Sequence, residues 1–121
     1  MDKVSDILIT HEPISSSTLQ KYCEKWFGNM VKVVVDIDKE EIALGGSLHA
    51  DAESLLLEKG SVQKDLWGAN IYPENKSGNQ IEYTALINIR PYQDNTSLYI
   101  QDEIVRNKVY NIIKKLIPVE G

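Results

Sequence analysis

The sequence predicts an α+β fold in one small domain, with a mainly antiparallel sheet and the helices packed on one face of it. Two observations predict this class: β-branched or alternating segments joined by short turns, and two stripes of apolar residues at helical spacing. The predicted order is β-α-β-β-α-β-β-α, and its first six elements match a ferredoxin-like variant. The chain has the length of a single domain, residues 1–121.

The first half of the chain supplies four of these elements. Ile7-Leu8-Ile9 is a short predicted strand, which Pro13 closes. A helix is predicted over residues 16–27, because apolar residues form one stripe between an N-cap, Ser15, and a C′ glycine, Gly28. The segments MVKVVVDI (30–37) and EIALGG (41–46) are predicted to form a hairpin around the polar turn at 38–40.

The second half adds a short helix, two strands and a long helix. Asp51 is predicted to cap a helix that buries the leucines at 55–57 and ends at Gly60. DLWGANIYP (65–73) is a predicted strand, and QIEYTALINIRP (80–91) alternates so regularly that it predicts another. The last helix is predicted to begin after Asp102 and to stop before Pro118.

Alternation within the strands assigns each residue to a face of the sheet. In the strand at 80–91 it predicts one buried set (Ile81, Tyr83, Ala85, Ile87 and Ile89) and places Glu82, Asn88 and Arg90 outside the hydrophobic core. The opposite face of the sheet then carries Lys32, Asp36, Asn70, Tyr72, Asn88 and Arg90. That face is either a solvated surface or a shallow recognition surface, on which Gly68 leaves room for a close approach.

His49 opens the pattern H-x-D-x-E with Asp51 and Glu53. The pattern is not one of the helical spacings known for metal ligands, and both carboxylates are explained by the start of a helix. No metal site is therefore predicted. His49 itself lies where a strand passes into a helix, and it is interpreted as a structural residue or as an acid–base or ligand contact.

Composition excludes several classes of function. The net charge is −5, and the acidic residues are concentrated between 36 and 65. An acidic domain with one short basic helix, at 103–117, is a poor candidate for nucleic-acid binding. The single cysteine, Cys23, cannot form an internal disulfide and lies on an apolar helical stripe, so it is expected in the core. No segment resembles a signal peptide or a membrane span, so a cytoplasmic protein is expected.

Four sequence blocks, GGSLHADAE, LLLEKGS, QKDLWGANIYP and INIRP, resemble a family of small bacterial and archaeal proteins known only as a domain of unknown function. The resemblance runs from Pro13 through the last helix. It implies a stand-alone cytoplasmic domain whose most characteristic residues lie at 45–73 and 87–91, and it leaves the activity and any cofactor unknown.

The resemblance and the strand alternation together define the candidate site. The candidate catalytic residues are His49, Asp51 and Asp65, and the candidate binding residues are Gln63, Trp67, Asn70, Tyr72, Asn88 and Arg90. The first hypothesis is a non-catalytic binding or interaction module that uses the polar sheet face and self-associates. Its partner would be a small anionic ligand or a protein.

The alternative hypothesis is a small hydrolase- or lyase-type enzyme. It would use His49 as the acid or base, and Arg90 would hold an anionic substrate. The two hypotheses differ in one geometric expectation: an enzyme requires the side chains of His49 and Arg90 to share a cleft.

Overall fold

The computed structural model describes residues 6–120, which form one five-stranded antiparallel sheet with α-helices packed against it. The strands are β1 (Ile7–Thr10), β2 (Val31–Asp36), β3 (Glu41–Gly45), β4 (Leu66–Ile71) and β5 (Ile81–Glu82). The helices are α1 (Ser16–Trp26), α2 (His49–Glu58) and α3 (Glu103–Leu116). The α+β class and the predicted order of the eight elements are confirmed.

The termini of α1 and α3 form as their sequences predict. The Ser15 side chain accepts a hydrogen bond from the Thr18 N–H at 3.0 Å, and the Asp102 side chain accepts one from the Ile104 N–H at 2.8 Å. Gly28 follows the end of α1 with a φ of 85°, a conformation that favours glycine. The predicted N-cap Ser15 and the predicted start of α3 after Asp102 are confirmed.

The expectation that all helices share one face of the sheet is wrong. The strand order is β1-β3-β2-β4-β5. The units β1-α1-β2 and β3-α2-β4 both cross the sheet toward β5, but β1 and β2 run antiparallel to β3 and β4. Two crossovers of the same hand must then place their helices on opposite faces. The ferredoxin-like variant, in which β4 would pair with β1, does not form.

The sheet therefore separates two hydrophobic cores. The larger core lies under α1 and α3 and contains Val33, Val35, Ala69 and Ile71 from the central strands. The smaller core lies under α2 and consists of Val34, Ala43, Ala52, Leu56 and Leu66. Because helices cover both faces, Val33 and Val34 are both fully buried although they point in opposite directions.

The predicted strand at 80–91 is wrong beyond its first residues. Only Ile81 and Glu82 pair with β4, and a 3₁₀ turn follows at Leu86–Asn88. A 3₁₀ turn has three residues per turn, whereas side chains in a strand alternate every two residues, so the residues after the turn no longer follow the alternation of the strand. Ile89 is therefore exposed, whereas Asn88 and Arg90 are buried. The segment 84–90 thus covers the part of β4 that β5 leaves unpaired, instead of extending the sheet.

Asp51 does not cap α2, contrary to the sequence prediction. The helix begins two residues earlier, at His49, and its N-cap is Leu48, which contributes no side-chain hydrogen bond. The backbone N–H of Asp51 already donates to the Leu48 carbonyl at 3.1 Å, so Asp51 lies inside the first turn. Its exposed carboxylate can stabilise the helix only through the dipole.

Candidate functional site

A cleft of about 350 Å³ opens on the α2 side of the sheet. It lies between the start of α2 and the segment 84–87, and we call it the His49 cleft. Its lining residues are Lys32, Leu48, His49, Ala50, Asn70, Thr84, Ala85, Leu86, Ile87 and Leu98. Its volume falls in the range of small-molecule sites, which begins at about 300 Å³.

His49 is held over the sheet by the first turn of α2. Gly68 has no side chain, and a Cβ there would lie 3.1 Å from Cδ2 of the imidazole ring. The ring nitrogen Nε2 lies 2.8 Å from the Ala69 carbonyl oxygen. Because a carbonyl can only accept, Nε2 carries the hydrogen in the neutral ring, and Nδ1 is left as an acceptor. The predicted room beside Gly68 is therefore filled from within the chain.

Burial keeps the His49 ring neutral. Desolvation lowers the pKa of His49 below its ordinary value of 6.5, and the nearby Lys32 lowers this pKa further. The Ala69 carbonyl and the Asn70 side chain raise the pKa of His49, because their oxygens favour the protonated ring. The Ala69 carbonyl already accepts from Nε2 in the neutral ring, whereas the Asn70 oxygen could accept only from a ring that carries a second hydrogen. Desolvation is the larger influence, so the neutral form dominates at pH 7.

Asn70 lies between two charged residues on the same face of the sheet. Lys32 of β2 is its partner on one side, and Glu82 of β5 is its partner on the other. Nδ2 of Asn70 donates to Glu82 Oε1 at 2.8 Å and to the Thr84 carbonyl at 3.3 Å, and these two acceptors fix the orientation of the amide. The amide oxygen Oδ1 is buried and has no hydrogen-bond partner among residues 6–120.

The rim of the His49 cleft is apolar and exposed. Leu48 is 59% exposed, Leu86 75% and Leu98 45%. Exposed leucines that converge on one concave site are unusual for a solvated surface, where exposed apolar residues are scattered. A polar floor beneath an apolar rim is the usual composition of a ligand site.

Asn88, a predicted binding residue, is fully buried beside the edge of β4. Its Oδ1 accepts from the Gly68 N–H at 2.9 Å, and its Nδ2 donates to the Gly68 carbonyl at 3.0 Å and to the Leu98 carbonyl at 3.0 Å. The carboxamide thus pairs with β4 as the backbone of a neighbouring strand would. Asn95 also bonds to the backbone, but within the segment that follows β5: its Nδ2 donates to the carbonyl groups of Asn88, Ser97 and Tyr99.

Arg90 is likewise buried and bonded to the backbone. Its guanidinium donates to the carbonyl oxygens of Gln63 and Leu66, and it lies 4.1 Å from the centroid of the Trp67 ring. Arg90 does not line the His49 cleft, so the two side chains that the enzyme hypothesis requires in one cleft do not share it.

The remaining predicted residues lie around these groups. The Gln63 side chain accepts from the Tyr92 hydroxyl at 3.2 Å, Asp65 is 3.2 Å from Lys64, and Tyr72 donates to Glu82 at 3.3 Å. Trp67 belongs to the core under α1 and α3. Of the nine predicted site residues, His49 and Asn70 line the His49 cleft.

The sequence did not indicate the leucines of the rim. Leu86 and Leu98 lie in segments whose backbone turns away from the sheet, so strand alternation could not assign them. In the part of the chain that the structure describes, no three His, Cys, Asp or Glu side chains are grouped so that they could hold a metal ion. Between residues 6 and 120, every helix is too short or too polar to cross a membrane.

Comparison with known families gives one finding. A family model described as a protein of unknown function (DUF5674) matches residues 8–116, and this confirms the resemblance to an uncharacterised family. Comparisons with curated proteins and with solved structures produced no match. The matched residues include α1, α2 and α3 and every residue that lines the His49 cleft.

Proposed function

Since the chain belongs to the DUF5674 family, whose function is unknown, we propose a function from the geometry of the cleft. The domain is a non-catalytic binding module, and the His49 cleft is its binding site. The observation that carries this proposal is the unpartnered oxygen of Asn70 in a cleft with three exposed leucines at its rim. The cleft lies on the sheet face on which the sequence predicts a recognition surface.

The contacts of the candidate catalytic residues support binding rather than catalysis. Nε2 of His49 is engaged by the Ala69 carbonyl, and Arg90 is engaged by two other backbone carbonyls. The enzyme hypothesis requires Arg90 beside the free Nδ1 of His49, and Arg90 does not line the His49 cleft. The proposed location is the cytoplasm, which the single buried cysteine, Cys23, fits.

Amide chemical-shift mapping with a library of neutral fragments tests this function. We expect the amide signals that move most to belong to Leu48, His49, Ala50 and Leu86. Replacement of Leu86 by Ser should weaken the binding of these fragments. Ile104→Ser is the matched control, because Ile104 is 67% exposed on α3 and does not line the cleft.

Two outcomes would contradict the proposal. The first is a set of shifted signals around Gln20, Cys23 and Glu74, which line a separate cleft of about 260 Å³ beside α1. The second is self-association through the leucine rim without fragment binding, which sedimentation velocity would detect and Leu86→Ser would abolish. That result would make the cleft an interface between copies of the chain.

A further inference from the structure

We propose that the ligand of the His49 cleft is an uncharged molecule with an apolar body and one N–H or O–H donor. The inference rests on the proposed function and adds the chemical class of the ligand. It follows from three properties of the cleft: its hydrogen-bonding groups, the positions of its charges and its apolar lining.

Both polar side chains at the floor of the cleft offer acceptors. Nε2 of His49 donates to Ala69, which leaves the lone pair of Nδ1. Nδ2 of Asn70 is occupied by Glu82 and Thr84, which leaves Oδ1. A buried acceptor without a partner is costly, so a donor that reaches it gains a hydrogen bond that the free protein lacks.

The charges around the cleft disfavour an anionic ligand. The Glu82 carboxylate accepts a hydrogen bond from the Asn70 amide. A carboxylate on the ligand would be repelled by the negative charge of Glu82, and it would face two further acceptors, Nδ1 of His49 and Oδ1 of Asn70. Lys32 lines the cleft, but its Nζ lies 5.3 Å from the centroid of the Phe27 ring, which attracts the ammonium. The aliphatic part of Lys32 can therefore line the cleft while its ammonium lies over the Phe27 ring.

The rest of the lining requires an apolar body. Six of the lining residues have aliphatic side chains: Leu48, Ala50, Ala85, Leu86, Ile87 and Leu98. Burial of apolar surface against them supplies affinity in proportion to the area covered, and the single donor supplies orientation.

Two matched pairs of probes test the inference on the wild-type chain by amide chemical-shift titration. Indole and 1-methylindole have nearly the same apolar body, but only indole has an N–H donor. We expect 1-methylindole to bind about two- to tenfold more weakly, the range that one net hydrogen bond supplies. Benzamide and benzoate differ in charge, and we expect benzamide alone to shift the signals of cleft residues.

Two variants test the contribution of Asn70. Asn70→Ala should reduce the preference for indole over 1-methylindole, because it removes one of the two acceptors at the floor of the cleft. Leu86→Ala is the matched control, since it removes apolar contact and should weaken both probes equally. If Asn70→Ala does not give a folded spectrum, the wild-type titrations decide the matter alone.

Equal binding of indole and 1-methylindole within the cleft would overturn the inference and leave the binding module intact. Stronger binding of benzoate than of benzamide would also overturn it and would indicate an anion site at Lys32. Failure of indole to shift any cleft signal up to its solubility limit would overturn it as well, whereas the fragment library tests the proposed function independently.

Discussion

At the scale of single residues, two side chains predicted for ligand binding form hydrogen bonds with buried backbone groups. Asn88 satisfies the N–H and the carbonyl of Gly68, and Arg90 satisfies the carbonyls of Gln63 and Leu66. Strand alternation places residues on faces, but it contains no information on where a neighbouring strand ends. Because β5 stops at Glu82, β4 needs other partners, and side chains with peptide-like donors and acceptors provide them.

Asn88→Ala should destabilise the protein by about 2–4 kcal/mol, because it leaves the N–H and the carbonyl of Gly68 without partners in a buried position. Asn88→Asp should be at least as harmful, since its carboxylate would face the carbonyls of Gly68 and Leu98, which now accept from the amide. Urea denaturation measures both changes. A loss below about 0.5 kcal/mol in Asn88→Ala would contradict this role of the side chain.

His49 should make the protein less stable in mild acid. Its folded pKa is lowered mainly by burial, so below pH 6.5 the unfolded chain takes up a proton before the folded chain does. The free energy of unfolding should therefore fall as the pH decreases from 6.5 toward the lowered folded value. In His49→Gln the amide can still donate to Ala69 but cannot titrate, so its stability should fall less between pH 7.5 and pH 5.5.

Urea denaturation at these two pH values measures the difference between the chains. His11→Gln is the control, because His11 is exposed and does not line the His49 cleft. An identical loss of stability in His49→Gln and in the wild type would show that His49 does not contribute to acid sensitivity.

At the scale of elements, the sequence predicts an element best where local chemistry decides its boundaries. The starts of α1 after Ser15 and of α3 after Asp102 were predicted correctly, because each of these side chains accepts from a backbone N–H in the first turn. For α2, whether Leu48 or Asp51 is the N-cap depends on a contact between residues distant in the sequence, because the His49 ring in the first turn packs over Gly68. The leucines that complete the His49 cleft were missed for the same reason, because nonlocal packing brings them next to His49 and Asn70.

The N-termini of α3 and α2 provide a matched test of the difference between a side-chain cap and a charge in the first turn. Asp102→Ala should cost about 1 kcal/mol of stability, because it removes the hydrogen bond to the Ile104 N–H. Asp51→Ala should cost less than about 0.5 kcal/mol, since it removes only a favourable charge in the first turn of α2. Thermal and urea denaturation of the two variants measure these losses. A larger loss in Asp51→Ala would restore Asp51 as a cap in solution.

At the scale of the whole molecule, the sheet separates two cores that share the same strands, and we expect this sharing to couple their unfolding. β2 contributes Val33 and Val35 to the core under α1 and α3, and Val34 to the core under α2. The sequence could predict which residues of β2 share a face, but it could not predict that both faces are covered. Coverage depends on the strand order, and the strand order results from pairing between segments that are distant in the chain.

Leu56→Ala tests this coupling. Leu56 is fully buried in the smaller core, and its truncation should cost about 2–5 kcal/mol. Both tryptophans report on the other side of the sheet, since Trp67 lies in the larger core and Trp26 lies on α1. If the sheet couples the two cores, the tryptophan fluorescence and the far-UV circular dichroism of Leu56→Ala should shift together to lower urea concentration.

Leu57→Ala is the matched control on the exposed side of α2 and should cost less than about 1 kcal/mol of stability. A loss of helical signal in Leu56→Ala that precedes the fluorescence change would show that α2 unfolds alone and that the smaller core is an independent layer.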